Sequence, residues 1–369
     1  MREFRVVVLP GDGIGKEVMA PCLSLLEEAV GRTKAFRLRF EPHDAGAELF
    51  RQTGESLPDH VWAAAESADA ILFGAMGLPD VRHTNGTEVL PQLEFRERLD
   101  LYAGVRPIRI LPGVRTPLAD PRARSVDCVL VRESTEGLFA ARSMSRRDGD
   151  AAVYDTMRIS RKACERLFAF AFDLARRRAR PGRRPSVTCV DKANVLPSMA
   201  FFREIFLERA AGYKDVDADW AYVDAAALRL VRAPWEFDVL VTENMFGDIL
   251  SDLGAALVGG MGMAPSADIG DRHAVFQPCH GTAPDIVGRG LANPTAMVLS
   301  GAMMLDWLGH RHAVPECAQA AAGLTRAVER AFADGTLLPA EAGGPDGTAA
   351  ITARIQHELQ RQVETESHA

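Results

Sequence analysis

At 369 residues the chain exceeds what one ordinary hydrophobic core organises, so two domains are expected. Hydrophobic residues (47%) and charged residues (25%) stand in ordinary globular proportion, which excludes a disordered chain. The net charge of −7 sets nucleic acid aside as a main partner, and no apolar run reaches the ~18 residues that a membrane helix needs.

Strand and helix signals alternate along the chain, the pattern of an α/β protein. An apolar strand over 4–9 runs into the turn Pro10-Gly-Asp-Gly-Ile-Gly15, with a helix over 16–30 behind it. A strand over 36–41, a helix over 59–67 and a buried strand over 70–73 follow, and 84–101 has helical spacing. The strand over 126–131 delivers Arg132 and Glu133 at its carboxyl end. Residues 138–159 look like an extended arm whose hairpin tip lies at Arg146-Arg147-Asp148-Gly149. Helices over 160–178 and 196–211 flank a strand over 186–190, and a strand over 237–241 feeds a helix over 246–258. A loop-rich stretch to 292 precedes helices over 294–308 and 317–333, and the tail beyond 358 reads as polar and frayed. The basic run from Arg176 to Arg184 reads as a solvated helix end where cations suit the dipole. Six scattered cysteines without a Cys-x-x-Cys pair, and no secretory start, fit reduced thiols in the cytoplasm. Cys279 and His280 are sequence neighbours and rarely face each other, so they are set aside as a nucleophile and base.

Gly11-Asp-Gly-Ile-Gly15 has the wrong spacing for G-x-G-x-x-G, and a tight turn explains it equally well. More informative is the helix over 246–258. Phe246, Ile249, Leu250, Leu253 and Leu257 form its apolar stripe, while Asp248 and Asp252 stack one turn apart on another face. Such a pair is usually a solvated acidic face. Here the helix is otherwise nearly uncharged and follows the carboxyl end of a strand, where α/β sheets place ligands. Hard oxygen donors there suit Mg²⁺ or Mn²⁺. Arg96, Arg106 and Arg132 are candidates for holding carboxylates, provided they converge. Lys192, in Asp191-Lys-Ala-Asn194, is either a general base or an ordinary helix-start lysine. His280-Gly-Thr-Ala-Pro-Asp285 is either a loop or an adenosine cradle, with Asp285 accepting from ribose hydroxyls.

Together these segments resemble the β-decarboxylating dehydrogenases that act on isopropylmalate, isocitrate, homoisocitrate and tartrate or D-malate. The resemblance rests on LPGDGIGKEV (9–18), FRERLDLYAGVRP (95–107), VRESTEG (131–137), DKANV (191–195), ENMFGDILSDLGAALVGGMGMAPSA (243–267) and HGTAPDIVGRGLANP (280–294). It implies an α/β fold of two domains with mixed sheets and no Rossmann unit. One domain would comprise 1–101 with 259–369, the other 102–258 with the arm near 138–159. It implies a homodimer with shared active sites, in which Lys192 and Asp224 reach into the partner's site and the apolar stripe packs between subunits. It also implies NAD and Mg²⁺ or Mn²⁺ as cofactors. Arg96, Arg106 and Arg132 would hold substrate, Asp224, Asp248 and Asp252 the metal, and His280, Gly281, Asp285 and Asn293 the dinucleotide.

Two departures stand out. Phe139 occupies a position where the family usually has a tyrosine that assists the last protonation. On the face of Arg96, Leu93 is aliphatic but Gln92 is polar, and Glu88 aligns with the family's glutamate only if Pro91 shifts the register. Val195 still fits an aliphatic substituent. The first expectation is oxidation and decarboxylation of 3-isopropylmalate. D-malate or tartrate is the alternative within the class, and a non-catalytic regulatory paralogue the alternative outside it.

Overall fold

The computed structural model describes residues 1–366. Its first stretch comprises β1 (Arg2–Gly11), α1 (Gly15–Gly31), β2 (Phe36–Pro42), α2 (Ala47–Thr53), α3 (Asp59–Ser67), β3 (Ala70–Ala75) and α4 (Pro91–Arg98). Then come β4 (Ala103–Arg109), β5 (Asp127–Glu133), the one-turn α5 (Gly137–Ala140) and a hairpin of β6 (Arg146–Asp148) and β7 (Ala152–Tyr154). The middle continues through α6 (Arg161–Arg177), β8 (Ser186–Asp191), α7 (Pro197–Ala210), β9 (Asp217–Tyr222), α8 (Val223–Arg232), β10 (Val239–Thr242) and α9 (Asn244–Leu257). β11 (Pro265–Ile269), β12 (Ala274–Pro278), α10 (Thr295–His312), α11 (Pro315–Ala333) and α12 (Thr348–Glu366) complete it.

Ten strands form one mixed sheet in the order β2-β1-β3-β12-β11-β4-β5-β10-β8-β9. Its two flanks are parallel, and the centre, β12-β11-β4-β5, is antiparallel. That centre rules out a doubly wound Rossmann sheet and brings β4, β5, β11 and β12 side by side. Strands covered on both faces must be apolar throughout, as β3 is, with every residue buried. α6 begins at Ser160, whose hydroxyl accepts from the Ala163 amide, and buries Ala163, Cys164, Leu167, Phe168, Ala171, Phe172 and Ala175 at helical spacing. Among the described residues no helix is long and apolar enough to cross a membrane.

The glycine-rich turn after β1 is a structural hub. The buried carboxylate of Asp12 accepts from the amides of Ala47 (2.7 Å), Glu48 (2.8 Å) and Gly77 (2.9 Å), which caps α2. Gly13 has φ +55°, and a Cβ there would lie 2.3 Å from the Thr282 carbonyl oxygen. Ile14 donates to that carbonyl at 3.0 Å, so the turn anchors the 280s loop.

Several expectations need correction. Residues 84–90 are not helical. Pro91 opens α4 at its first turn, where a missing N–H costs nothing, and Leu90 before it lies outside the helical region. Glu88 therefore leaves the face of Arg96 and pairs with Arg82 at 3.0 Å. The loop-rich reading of the stretch to 292 missed β11 and β12. The basic run is only partly solvated, because Arg178 bonds Asp127 (2.9 Å) and Asp238 (3.2 Å). Within the described residues the tail stays helical beyond Glu358, since α12 runs to Glu366 and buries Ile351, Ile355 and Leu359, while 367–369 lie outside the described residues. The stripe on α9 is also split: Leu250 and Leu257 are buried within the chain, whereas Ile249 is 61% exposed.

Candidate active site

A cleft of about 170 Å³ lies where β3, β12, α4, β4, β5 and α9 meet. Its wall carries Gln92, Arg96, Arg106, Arg132, Asp248, Asp252, His280 and Gly281, eight residues that are scattered in sequence. The three arginines thus converge, as carboxylate binding requires.

Arg96 and Arg106 are tied from below by Asp268 on β11. Arg96 Nε donates to its Oδ2 and Arg106 Nη2 to its Oδ1, each at 2.9 Å, and Gln277 Nε2 adds a third bond at 2.9 Å. Arg106 Nη1 is spent on the carbonyls of Val105 (3.1 Å) and Ala267 (2.9 Å). Burial pushes the Asp268 carboxyl up, but the charges of Arg96 and Arg106 outweigh it and hold it down at about 2. Removing one partner of such a buried pair costs roughly 3–5 kcal/mol.

Arg132, at the end of β5, is fixed from α9. Its Nε and Nη2 donate to Asn244 Oδ1 at 2.9 and 2.7 Å, and its Nη1 pairs with Asp248. The Asn244 amide in turn donates to the Glu136 carbonyl at 2.9 Å. Gly247 makes this approach possible, because a Cβ there would sit 2.6 Å from the Arg132 side chain. Burial and the neighbouring charge of Arg96 lower the Arg132 pKa to about 10, so the guanidinium stays charged at neutral pH. Asp248 and Asp252 stack on α9, and burial together with the charge of Asp248 pushes the Asp252 carboxyl up. The Phe139 ring, half-buried on α5, lies 5.4 Å from the Arg132 guanidinium and carries no hydroxyl.

On the opposite wall the His280 ring is held by the Gly281 carbonyl at 2.9 Å, and its Nε2 is buried without a partner. Burial lowers the His280 pKa, which favours the neutral ring. A Cβ on Gly281 would meet no protein atom, so open space lies beside it. Asp285 is exposed beyond this wall. Asn293 is buried and spends its amide on Glu341 (2.8 Å) and the Thr295 N–H (3.0 Å), so it secures the loop from inside.

Seven of the expected residues do not line this cleft: Leu93, Phe139, Lys192, Val195, Asp224, Asp285 and Asn293. Lys192 Nζ pairs with Asp224 Oδ1 at 2.5 Å, on the loop after β8 and the first turn of α8. Hence Asp224 does not join Asp248 and Asp252 within one chain, and among the described residues no three His, Cys, Asp or Glu side chains gather as a metal cage. Asp268, Gln277 and Asn244 escaped the sequence reading. A signal existed for the first two, polar residues in the apolar runs 264–269 and 274–278, but those runs had not been read as strands.

The comparisons with known proteins bear directly on this site. The profile described as isocitrate/isopropylmalate dehydrogenase matches residues 5–355. The chain belongs to the isocitrate/isopropylmalate dehydrogenase family. It is 41% identical to the 3-isopropylmalate/3-methylmalate dehydrogenase of Methanocaldococcus jannaschii over 91% of this chain and 93% of that one. With the 3-isopropylmalate dehydrogenase of Aquifex aeolicus it shares 36% identity over 98% of both chains. Among solved structures, isocitrate dehydrogenase from Methylococcus capsulatus superposes with a TM-score of 0.84 at 35% identity, covering 97% of this chain and 99% of that one. The chain is accordingly a decarboxylating dehydrogenase.

Proposed function

We propose that this member of the family oxidises and decarboxylates a 3-substituted malate, with 3-isopropylmalate as the first candidate, using NAD and Mg²⁺ or Mn²⁺. The observation that carries the reading is the convergence of Arg96, Arg106 and Arg132 beside Asp248 and Asp252 in one cleft. Bound NAD supplies a hydride acceptor, and a divalent cation held by Asp248, Asp252 and Asp224 of the partner subunit supplies Lewis acidity at the C2 oxygen. The arginines hold the substrate carboxylates and fix C2 in place. Lys192 of the partner subunit takes the C2 hydroxyl proton. Loss of CO₂ from the resulting β-keto acid leaves an enolate that must gain a proton at C3. Leu93 and Val195 offer the apolar surface for the substituent. His280, Gly281 and Asp285 meet the dinucleotide, and Asn293 supports their loop.

The Lys192–Asp224 pair lies outside the cleft of its own chain, which supports a sharing of sites between two copies. Exposed apolar residues point to a second copy: Val195 (64%), Ile249 (61%), Leu228 (57%) and Val231 (49%). The proposed domains are 1–101 with 259–369, and 102–258, meeting where β4 pairs with β11. Cysteines without disulfides fit cytoplasmic residence.

A second reading, D-malate or tartrate, is favoured by Gln92, whose Oε1 is buried without a partner on the cleft wall. A hydroxyl on C3, which tartrate carries and D-malate lacks, would satisfy it, whereas an alkyl group leaves it unpaired. NADH formation from 3-isopropylmalate, D-malate and tartrate with Mn²⁺ tests both readings, and the absence of NADH from all three would overturn the proposal. In the same assay NAD should exceed NADP by at least roughly 100-fold in kcat/KM, because an unpaired 2′-phosphate beside the Asp285 carboxylate is repelled. Equal values for the two cofactors would remove Asp285 from the ribose site.

Phe139 yields a separate prediction. General acid assistance is typically worth about 10²–10⁴ in rate, so loss of CO₂ or protonation of the enolate should lag hydride transfer in the native chain. Phe139→Tyr should speed CO₂ release and leave hydride transfer unchanged in single-turnover measurements of NADH and CO₂. If both chains release CO₂ as fast as NADH forms, the hydroxyl is dispensable.

A further inference from the structure

A buried charge sits next to Lys192, and the chemistry proposed above makes no use of it. Asp191 is fully buried at the end of β8 and immediately precedes Lys192. Arg203 on α7 holds it with a fork: Nε donates to Oδ2 at 2.7 Å and Nη2 to Oδ1 at 2.6 Å. The fork is itself pinned. The Arg203 guanidinium lies 3.6 Å from the centre of the Trp220 ring and 5.1 Å from that of Tyr222, both on β9. Parallel pairing of β8 with β9 places Asp191 opposite Tyr222. The loop that follows is tied at the same point. Asp191 Oδ1 also accepts from the Ala193 amide at 2.8 Å, and the Lys192 carbonyl accepts from the amides of Val195 and Leu196 at 3.0 Å each. The Lys192 side chain thus springs from backbone fixed on both sides. Its ammonium lies 5.9 Å from the centre of the Tyr222 ring and bonds Asp224.

We propose that Arg203 is a positioning residue for Lys192: by clamping Asp191 between α7 and β9 it fixes the backbone from which the Lys192 side chain projects. The inference rests on the reading of Lys192 as the base that takes the C2 hydroxyl proton, and deepens it. A buried ion pair adds little stability over apolar residues of similar volume, so the value of this one lies in its geometry. Proton transfer needs the base within hydrogen-bond reach of the proton it removes. A flexible four-carbon stem does not set that distance by itself, so the root of the side chain must. A displacement of about 1 Å there can cost roughly 100-fold in rate. Arg203 does not line the cleft that holds Arg96, Arg106 and Arg132, so substrate affinity should be untouched by its loss.

The test uses the full-length chain carrying Arg203→Gln, with Asp191→Asn/Arg203→Met as a second variant that strands no buried charge should the first fail to fold. In the folded variant kcat should fall roughly 100-fold, with KM for the hydroxy acid and for NAD within about threefold of native. Added to Lys192→Ala, Arg203→Gln should cost less than about threefold more, because the group it positions is already gone. The amides of Ala193, Val195 and Leu196 should exchange hydrogen at least about tenfold faster. Subunit mixing locates the defect, with Lys192→Ala plus Asp248→Asn as the positive control. Mixed with Asp248→Asn, Arg203→Gln should recover about a quarter of native activity, since one site of each hybrid draws an intact Lys192 from the other chain. Mixed with Lys192→Ala it should recover none. The reverse pattern overturns the proposal, as does a full further loss in the Lys192→Ala background or a folded variant with native turnover. The two readings fail separately: native exchange at the three amides rejects the clamp, whereas faster exchange in a chain whose native form makes no NADH supports the clamp and rejects the dehydrogenase reading.

Discussion

Asp248→Asn should lower turnover by roughly 10³-fold, the equivalent of the several kcal/mol that a catalytic divalent cation supplies. Asparagine keeps the shape and one oxygen but loses the negative charge that a hard cation prefers. The fold should survive, because the Asp248 side chain is 50% exposed and Arg132, its partner, remains held by Asn244 at 2.7 and 2.9 Å. Asp252 next to it should return toward the ordinary carboxylate range once its charged neighbour is gone, since Asp248 is the second cause of its upward shift after burial. The measurements are kcat with saturating Mn²⁺, Mn²⁺ affinity by titration, and melting temperature. A variant that keeps native activity after chelation and Mn²⁺ return would show that Asp248 is not a metal ligand.

Mixing two inactive chains should restore activity. Lys192→Ala removes the proposed base and should lower turnover by about 10²–10⁴. If Lys192 serves the partner's cleft, a hybrid of Lys192→Ala with Asp248→Asn has one site with both defects and one site with neither. Random exchange of subunits makes half of the dimers hybrids, so the mixture should recover about a quarter of native activity. The 2.5 Å Lys192–Asp224 pair sits apart from the cleft in its own chain, and this is why the test discriminates. Activity no greater than the mean of the two variants, with subunit exchange verified by mass spectrometry, would mean that each chain builds its site alone.

Much of the architecture is written in local patterns. The spacing of Leu167, Phe168, Ala171 and Phe172 makes α6 a helix with one buried face wherever it packs, and the apolar run at 70–73 makes a strand that has to be covered on both sides. Asp248 and Asp252 stack because four residues make about one helical turn, and this holds before any tertiary contact forms. The wrong spacing of Gly11-Asp-Gly-Ile-Gly15 already argued against a dinucleotide fingerprint. What it could not convey is that Asp12 caps α2 and that Gly13 receives the 280s loop.

The amino-acid sequence by itself determined the α/β class, the most regular helices, the acidic pair on α9 and the arginines available for a carboxylate. Only the tertiary structure decided that those arginines converge, that Pro91 shortens α4 and turns Glu88 away, and that Asp268 stands beneath Arg96 and Arg106. The physical reason is range. Helical spacing and turn chemistry act over a few residues, whereas Arg96, Arg106 and Asp268 meet across more than 160 positions through the antiparallel pairing of β4 with β11. A buried charge in a short apolar run reads as an anomaly until the strand beside it supplies its partner.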